Sequence, residues 1–169
     1  VLDIDGANAE AAAEALRHSG ASAIGLQCDV ADRSALEDAA SAISMQLAPC
    51  TVLCANVGVQ QFGRIGAVRE EEWRWVMDVN VLGVINTVDV FLPDLRMTSG
   101  RRHVVVTSSS AFYSPGVRMA AYTASKFAVT GFAETLRMEL AEEGIGVSIL
   151  FPAGMSTSHM QSSLKARPE

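Results

Sequence analysis

Short apolar runs recur along this chain, each followed by a stretch of helical pattern, and that alternation constrains the fold more than any other feature. Runs at about 1–5, 21–28, 51–55, 103–108 and 146–151 read as strands. Helical patterns fill about 7–17, 33–47, 70–97 and 119–142, with a short helix expected near Ser158 to Leu164. Asp5 and Asp32 stand where helix N-caps belong, Gly20 follows the first helix as a stop, and Pro93 is expected to bend the long one. The strands are continuous apolar runs rather than strict polar–apolar alternations. Such strands are buried on both faces, and helices between them make the crossovers that parallel pairing needs. The expected fold class is therefore α/β, a doubly wound parallel sheet with helices on both faces. Ligands of such sheets sit outside the carboxyl ends of the strands. Asp3, Asp29, Asn56, Ser109 and residues 152–157 all fall there.

The stretch 104–129, VVVTSSSAFYSPGVRMAAYTASKFAV, carries the chemistry. It opens as a buried strand, passes a serine cluster and a Pro-Gly turn, and enters a helix. Tyr122 and Lys126 are spaced i, i+4, so both side chains share one helix face, one turn apart. A free tyrosine titrates near about 10 and a free lysine near about 10.4. A cation held beside a phenol favours phenolate and makes the group usable as an acid/base nearer neutral pH. A serine hydroxyl at the strand end is placed to hydrogen-bond the same substrate oxygen.

Tyr122-Thr-Ala-Ser-Lys126, with Ser109 thirteen residues before the tyrosine, resembles the active-site segment of the short-chain dehydrogenase/reductase family. Further segments resemble the family in the same order along 1–157. Asp3, with Ile4 beside it, stands where an acidic residue at the end of a strand binds the adenosine ribose and repels a 2′-phosphate. Asp5 is the rival, but it fits the helix cap better. Asp29-Val30 resembles the pair that brackets adenine. Ala55-Asn56-Val57-Gly58 resembles the family's N-N-A-G loop, departing from it at Ala55 and Val57. Asn80-Val-Leu-Gly83 resembles its N-x-x-G, in which the asparagine carbonyl, freed by a local helix irregularity, holds a water of the proton relay. Pro152-Ala-Gly-Met-Ser-Thr157 resembles the segment that binds the nicotinamide carboxamide and phosphates, with Ala153 in place of glycine.

The resemblance implies a single Rossmann-like domain over 1–169, its residues 152–169 opening a substrate-lid segment. It implies an oxidoreductase that moves a hydride between NAD(H), rather than NADP, and a secondary alcohol or ketone. The implied catalytic set is Asn80, Ser109, Tyr122 and Lys126. The implied cofactor set is Asp3, Ile4, Asp29, Val30, Asn56, Gly58, Tyr122, Lys126, Pro152, Met155 and Thr157. Two other classes fit the fold: an epimerase or isomerase with bound NAD, and a non-catalytic dinucleotide sensor, though a sensor has no need of a proton relay. The resemblance also implies further residues outside 1–169: a strand and glycine-rich turn upstream and a strand downstream. In the strand order 3-2-1-4-5-6 the upstream strand would lie between those ending at Asp3 and Ala55.

Composition narrows the partners. A net charge of −6 with no basic run argues against nucleic acid. No apolar stretch reaches the roughly 20 residues of a membrane span, and the first residues lack a charged-then-apolar leader pattern. The three cysteines, Cys28, Cys50 and Cys54, form no C-x-x-C pair and are expected to be buried, reduced thiols of a cytoplasmic protein. His18, His103 and His159 share no ligand spacing, so no metal site is expected. Phe112, Tyr113, Met119, Met155 and Met160 flank the site, and each suits either the lining of a fairly apolar substrate pocket or structural packing. Trp73 and Trp75 read as packing groups. Val84, Val88, Phe91 and Leu95 make an apolar stripe expected to pair subunits in a homodimer or homotetramer.

Overall fold

The protein is described by a computed structural model covering residues 1–157 and 159–168. Its elements run β1 (Leu2–Asp3), α1 (Gly6–His18), β2 (Leu26–Gln27), α2 (Arg33–Gln46), β3 (Val52–Ala55), α3 (Glu70–Met77), a π turn (Asp78–Leu82), α4 (Gly83–Met97), β4 (His103–Thr107), a 3-10 turn (Ser110–Phe112), α5 (Ala120–Ala141), β5 (Gly146–Leu150) and α6 (His159–Ala166). Ser158, where the last helix was expected to begin, lies outside the described residues.

Local chemistry explains where the early helices start. The Asp5 carboxylate accepts the N–H groups of Ala7 and Asn8, and the Asp32 carboxylate accepts those of Ser34 and Ala35. Each cap satisfies donors that a helix start otherwise leaves open, a contribution of about 1 kcal/mol. Gly20, at φ 91°, takes the left-handed conformation that stops α1.

All strand pairs are parallel, as the alternation requires. β1 pairs with β2, and β3, β4 and β5 form a second sheet in that order. The strands ending at Asp3 and Ala55 do not pair with each other. β2 is shorter than the run at 21–28, because its ladder meets only Leu2 and Asp3 of β1.

The core lies between the three-stranded sheet and helices α4 and α5. Leu53, Ala55, Val104, Val106 and Val147 point from the strands into it, against Val129, Ala133, Leu136 and Leu140 of α5. Val84, Val88, Phe91 and Leu95 of α4 complete it, each at most 3% exposed. This corrects the expectation that the stripe pairs subunits. Helical periodicity marks a face that is buried, but not what buries it. The opposite face of the same sheet carries Val52, Cys54 and Leu150, all exposed. Helix cover on both faces is thus met on one face of this sheet among the described residues. Cys28 is buried as expected and Cys50 partly so, while Cys54 is open to solvent. The residues 70–97 form one nearly continuous helix, interrupted by the π turn, with Pro93 inside α4.

The strand ends of the larger sheet converge. Ser108 N–H donates to Leu150 O at 2.8 Å, and Ser110 N–H to Pro152 O at 2.9 Å. The loops after β4 and β5 are thereby held side by side, with the loop after β3 next to them.

Candidate active site

The first turns of α5 place Tyr122 and Lys126 on the face turned to these loops. Both are buried, at 6% and 3% exposure. The Lys126 ammonium donates to Thr107 O, the last carbonyl of β4, at 3.0 Å. It lies 5.7 Å from the centre of the Tyr122 ring. Burial pushes the Lys126 ammonium down to about 8, because charge is costly away from water. At neutral pH it is still mainly a cation, so a positive charge sits against the phenol.

Ser109 is extended (φ −165°) at the end of β4, 8% exposed, and its Oγ accepts Ala111 N–H at 3.1 Å. Its neighbour Ser108 has a different task. Ser108 Oγ donates to Lys126 O at 3.2 Å and is hydrogen-bonded to Thr130 Oγ1 at 2.7 Å. That seam fixes α5 against β4, and so sets the position of Tyr122 relative to Ser109.

Asn80 is fully buried at the centre of the π turn, where Gly83 N–H reaches back five residues to Asp78 O. The helix irregularity expected there is present. Its side chain holds both backbone polar groups of one residue: Oδ1 accepts Val59 N–H at 2.7 Å, and Nδ2 donates to Val59 O at 3.0 Å. Nδ2 also donates to Ser125 Oγ at 2.9 Å, which in turn donates to Tyr122 O at 2.7 Å. One asparagine thereby ties the loop after β3 to α5. Gly58 in that loop eases the approach: a Cβ there would stand 3.3 Å from Lys126 Nζ and 3.5 Å from Asn80 Oδ1. A Cβ on Gly83 would come within 2.5 Å of Val30 Cγ2, which accounts for the glycine of N-x-x-G.

The residues expected to hold a dinucleotide lie at the strand ends of both sheets. Val30 packs on Gly83 and its carbonyl accepts Asn86 Nδ2 at 3.3 Å, which ties the end of β2 to the long helix. Asp3 Oδ1 accepts Asp5 N–H at 2.8 Å, so the turn role is real; among the described residues Oδ2 carries no hydrogen bond. Asp29 Oδ1 likewise accepts Ala31 N–H at 2.9 Å. Ile4, Asn56 and Met155 are exposed, Pro152 O is taken by Ser110 N–H, and Thr157 Oγ1 accepts His159 N–H at 3.4 Å. A bare backbone at Gly58 beside a cation, with an acidic strand end in the other sheet, fits a nicotinamide dinucleotide.

The sequence reading gave no site role to Ser108, Ser163 or His159. Ser163 on α6 accepts Gln60 N–H at 3.0 Å. His159 is half-buried, with Cε1 4.0 Å from the place a Gly58 Cβ would occupy; burial and then the Lys126 charge hold its imidazole below the usual range. A lone histidine after a loop offers no local signal of that position. The rings of Phe112 and Phe127 lie 4.6 Å apart, and Phe151 stands 5.6 Å from Phe112 and 4.9 Å from Tyr113.

The family model for short chain dehydrogenases matches residues 1–168, and the chain belongs to that family. It is 32% identical over 168 residues to 2,3-dihydro-2,3-dihydroxybenzoate dehydrogenase of Bacillus subtilis, covering 98% of this chain and 62% of that one. The structure of a short chain dehydrogenase/reductase from Burkholderia phymatum in complex with NAD superposes with a TM-score of 0.92 at 32% identity, covering 99% of this chain and 60% of that one. C alpha-dehydrogenase of a Sphingobium strain is 30% identical over 169 residues, 99% of this chain and 55% of its own length. The chain thus spans a little over half the length of these relatives, and covers part of their fold.

The buried lysine has a consequence for stability. Its folded-state pKa is lowered from 10.5 to about 8, so between those values the unfolded chain binds the proton and the folded chain does not. The contribution to stability therefore rises as pH rises through that window. In urea unfolding, the wild type should gain about 3 kcal/mol relative to Lys126→Met between neutral pH and pH ~10.5. A difference independent of pH would show that the ammonium keeps its water.

Proposed function

We propose that the protein is an NAD-dependent oxidoreductase acting on a secondary alcohol or the corresponding ketone, with Tyr122 as general acid/base. The observation that carries this reading is the buried Tyr122–Lys126 pair, with its cation, beside the strand end that bears Ser109. When bound, the dinucleotide supplies a nicotinamide C4 that accepts or gives the hydride. The protein's own residues do the rest. Tyr122 passes its phenol proton to the substrate oxygen in reduction and takes it back in oxidation. Ser109 Oγ hydrogen-bonds the same oxygen. Lys126 stabilises the phenolate left by the proton and offers its remaining N–H groups to the nicotinamide ribose. Asn80 keeps the Val59 peptide and Ser125 in register with α5, supporting the relay from Lys126.

Asp3 supports NAD over NADP, since its carboxylate fits a ribose diol and its charge opposes a 2′-phosphate. The Burkholderia relative was solved with NAD. Exposed Tyr113, Met155 and Met160 on the rim, with the neighbouring rings of Phe112 and Phe151, support a fairly apolar substrate. Leu82, Met97, Phe127 and Met138 are exposed on the long helix and on α5. They support subunit pairing through these helices, on a face other than the Val84–Leu95 stripe.

Three measurements test the reading in the full-length protein. Tyr122→Phe should lower kcat by several orders of magnitude and leave NAD affinity nearly unchanged; retention of more than about a tenth of kcat, a loss under ~1.4 kcal/mol of barrier, would refute the role. The ratio of kcat/KM values should favour NAD over NADP, and Asp3→Ala should narrow it; equal values in the wild type would place Asp3 elsewhere. Light scattering at micromolar concentration should give a dimer or tetramer, and a monomer would reject the pairing.

A further inference from the structure

One buried carboxylate and the two guanidinium groups beside it take no part in the reaction above. Glu72, in the first turn of α3, is fully buried. Its carboxylate accepts Arg69 N–H at 3.0 Å and is paired with the Arg167 guanidinium, which lies 95 residues further along the chain. The Arg69 guanidinium, 3.7 Å from the same carboxylate, donates to Pro168 O at 2.7 Å. Burial alone would raise the Glu72 carboxyl; the Arg167 hydrogen bond, the Arg69 N–H and the two positive charges outweigh it and hold it below the usual range.

Among the described residues, these contacts are the main attachments of the segment 159–168. In α6 the buried residue is Ser163, while Met160 and Leu164 are exposed at 54% and 58%. An eight-residue helix whose apolar side chains are only partly covered gains little from the hydrophobic effect, and is marginal by itself. Its attachments are polar: Ser163 Oγ to Gln60 N–H at one point, and Arg167 and Pro168 to Glu72 and Arg69 at the other. What they keep in place is His159, the first residue of α6, beside Gly58 and Lys126. His159 is the point at which the segment reaches the site, where Asn80, Ser109, Tyr122 and Lys126 are all less than 9% exposed.

We propose that Glu72 is a positioning residue: paired with Arg167, it latches residues 159–168 over the Tyr122–Lys126 site and sets how often that site is open to substrate. This rests on the hydride-transfer reading of the site. The latched arrangement competes with entry, so apparent affinity is the intrinsic affinity reduced by the fraction of open molecules. Loosening the latch lowers KM and leaves kcat in place, since no reacting atom is touched.

Hydrogen exchange followed by mass spectrometry tests the latch without turnover. In Glu72→Gln and in Arg167→Gln, amides of 159–168 should exchange about tenfold faster, the cost of one charge-assisted hydrogen bond, while those of β4 and α5 keep their wild-type rates. Arg167→Lys, which keeps the charge, should restore slow exchange. KM for an oxidisable alcohol should fall up to about tenfold in the two glutamine variants at unchanged kcat. Arg167 is on the surface, so its variant folds even if that of Glu72 does not. Unchanged exchange in 159–168, faster exchange spread through β4 and α5, or an unchanged KM would overturn the proposal. Faster exchange confined to 159–168 in a protein that turns over no alcohol, wild type included, supports the latch and sinks the hydride-transfer reading instead.

Discussion

Taking a lysine ammonium out of water costs several kcal/mol unless its protons find acceptors. For Lys126 the acceptor is Thr107 O, the last carbonyl of β4, so the charge is held at the point where strand and helix come together. The Ser108–Thr130 bond and the Ser108–Lys126 carbonyl bond close the same seam from the backbone side. The rest of the site is built outward from this seam. If α5 shifted by one residue along β4, the ammonium would lose its carbonyl and Tyr122 would leave the end of the strand that carries Ser109.

Around the seam, two glycines let neighbouring side chains come close to the backbone. Gly58 lets the loop after β3 lie against Lys126 and Asn80, and Gly83 lets Val30 of the loop after β2 press on the long helix. Asn80 then spends all three of its side-chain hydrogen bonds on Val59 and Ser125. A buried amide is tolerated only when satisfied in this way. The π turn that swings it inward is therefore part of the support for the site rather than a flaw in a helix.

Much of the architecture was legible because its causes are local. Asp5 and Asp32 cap the residues that follow them at once, and an apolar run such as Val104–Val106 declares a strand whatever lies beside it. Tyr122 and Lys126 share a face because a helix turn is 3.6 residues long. Other features were misread because their causes are not local. The stripe Val84, Val88, Phe91 and Leu95 announces burial, and only packing shows that it meets the sheet and not another subunit. Cys54 and Leu53 are equally apolar neighbours in β3, yet one faces solvent and the other the core.

The sequence by itself determined the order of strands and helices, the caps, and the segments that carry Ser109, Tyr122, Lys126 and Asn80, since each depends on residues a few positions apart. Tertiary structure alone decided which groups meet across long separations. Asn80 finds Val59 and Ser125, Ser163 finds Gln60, and Arg167 finds Glu72. Nothing in the neighbourhood of any of these residues names its partner. A hydrogen bond across 45 or 95 residues is selected by how the elements pack and by the cost of leaving a buried polar group unpaired.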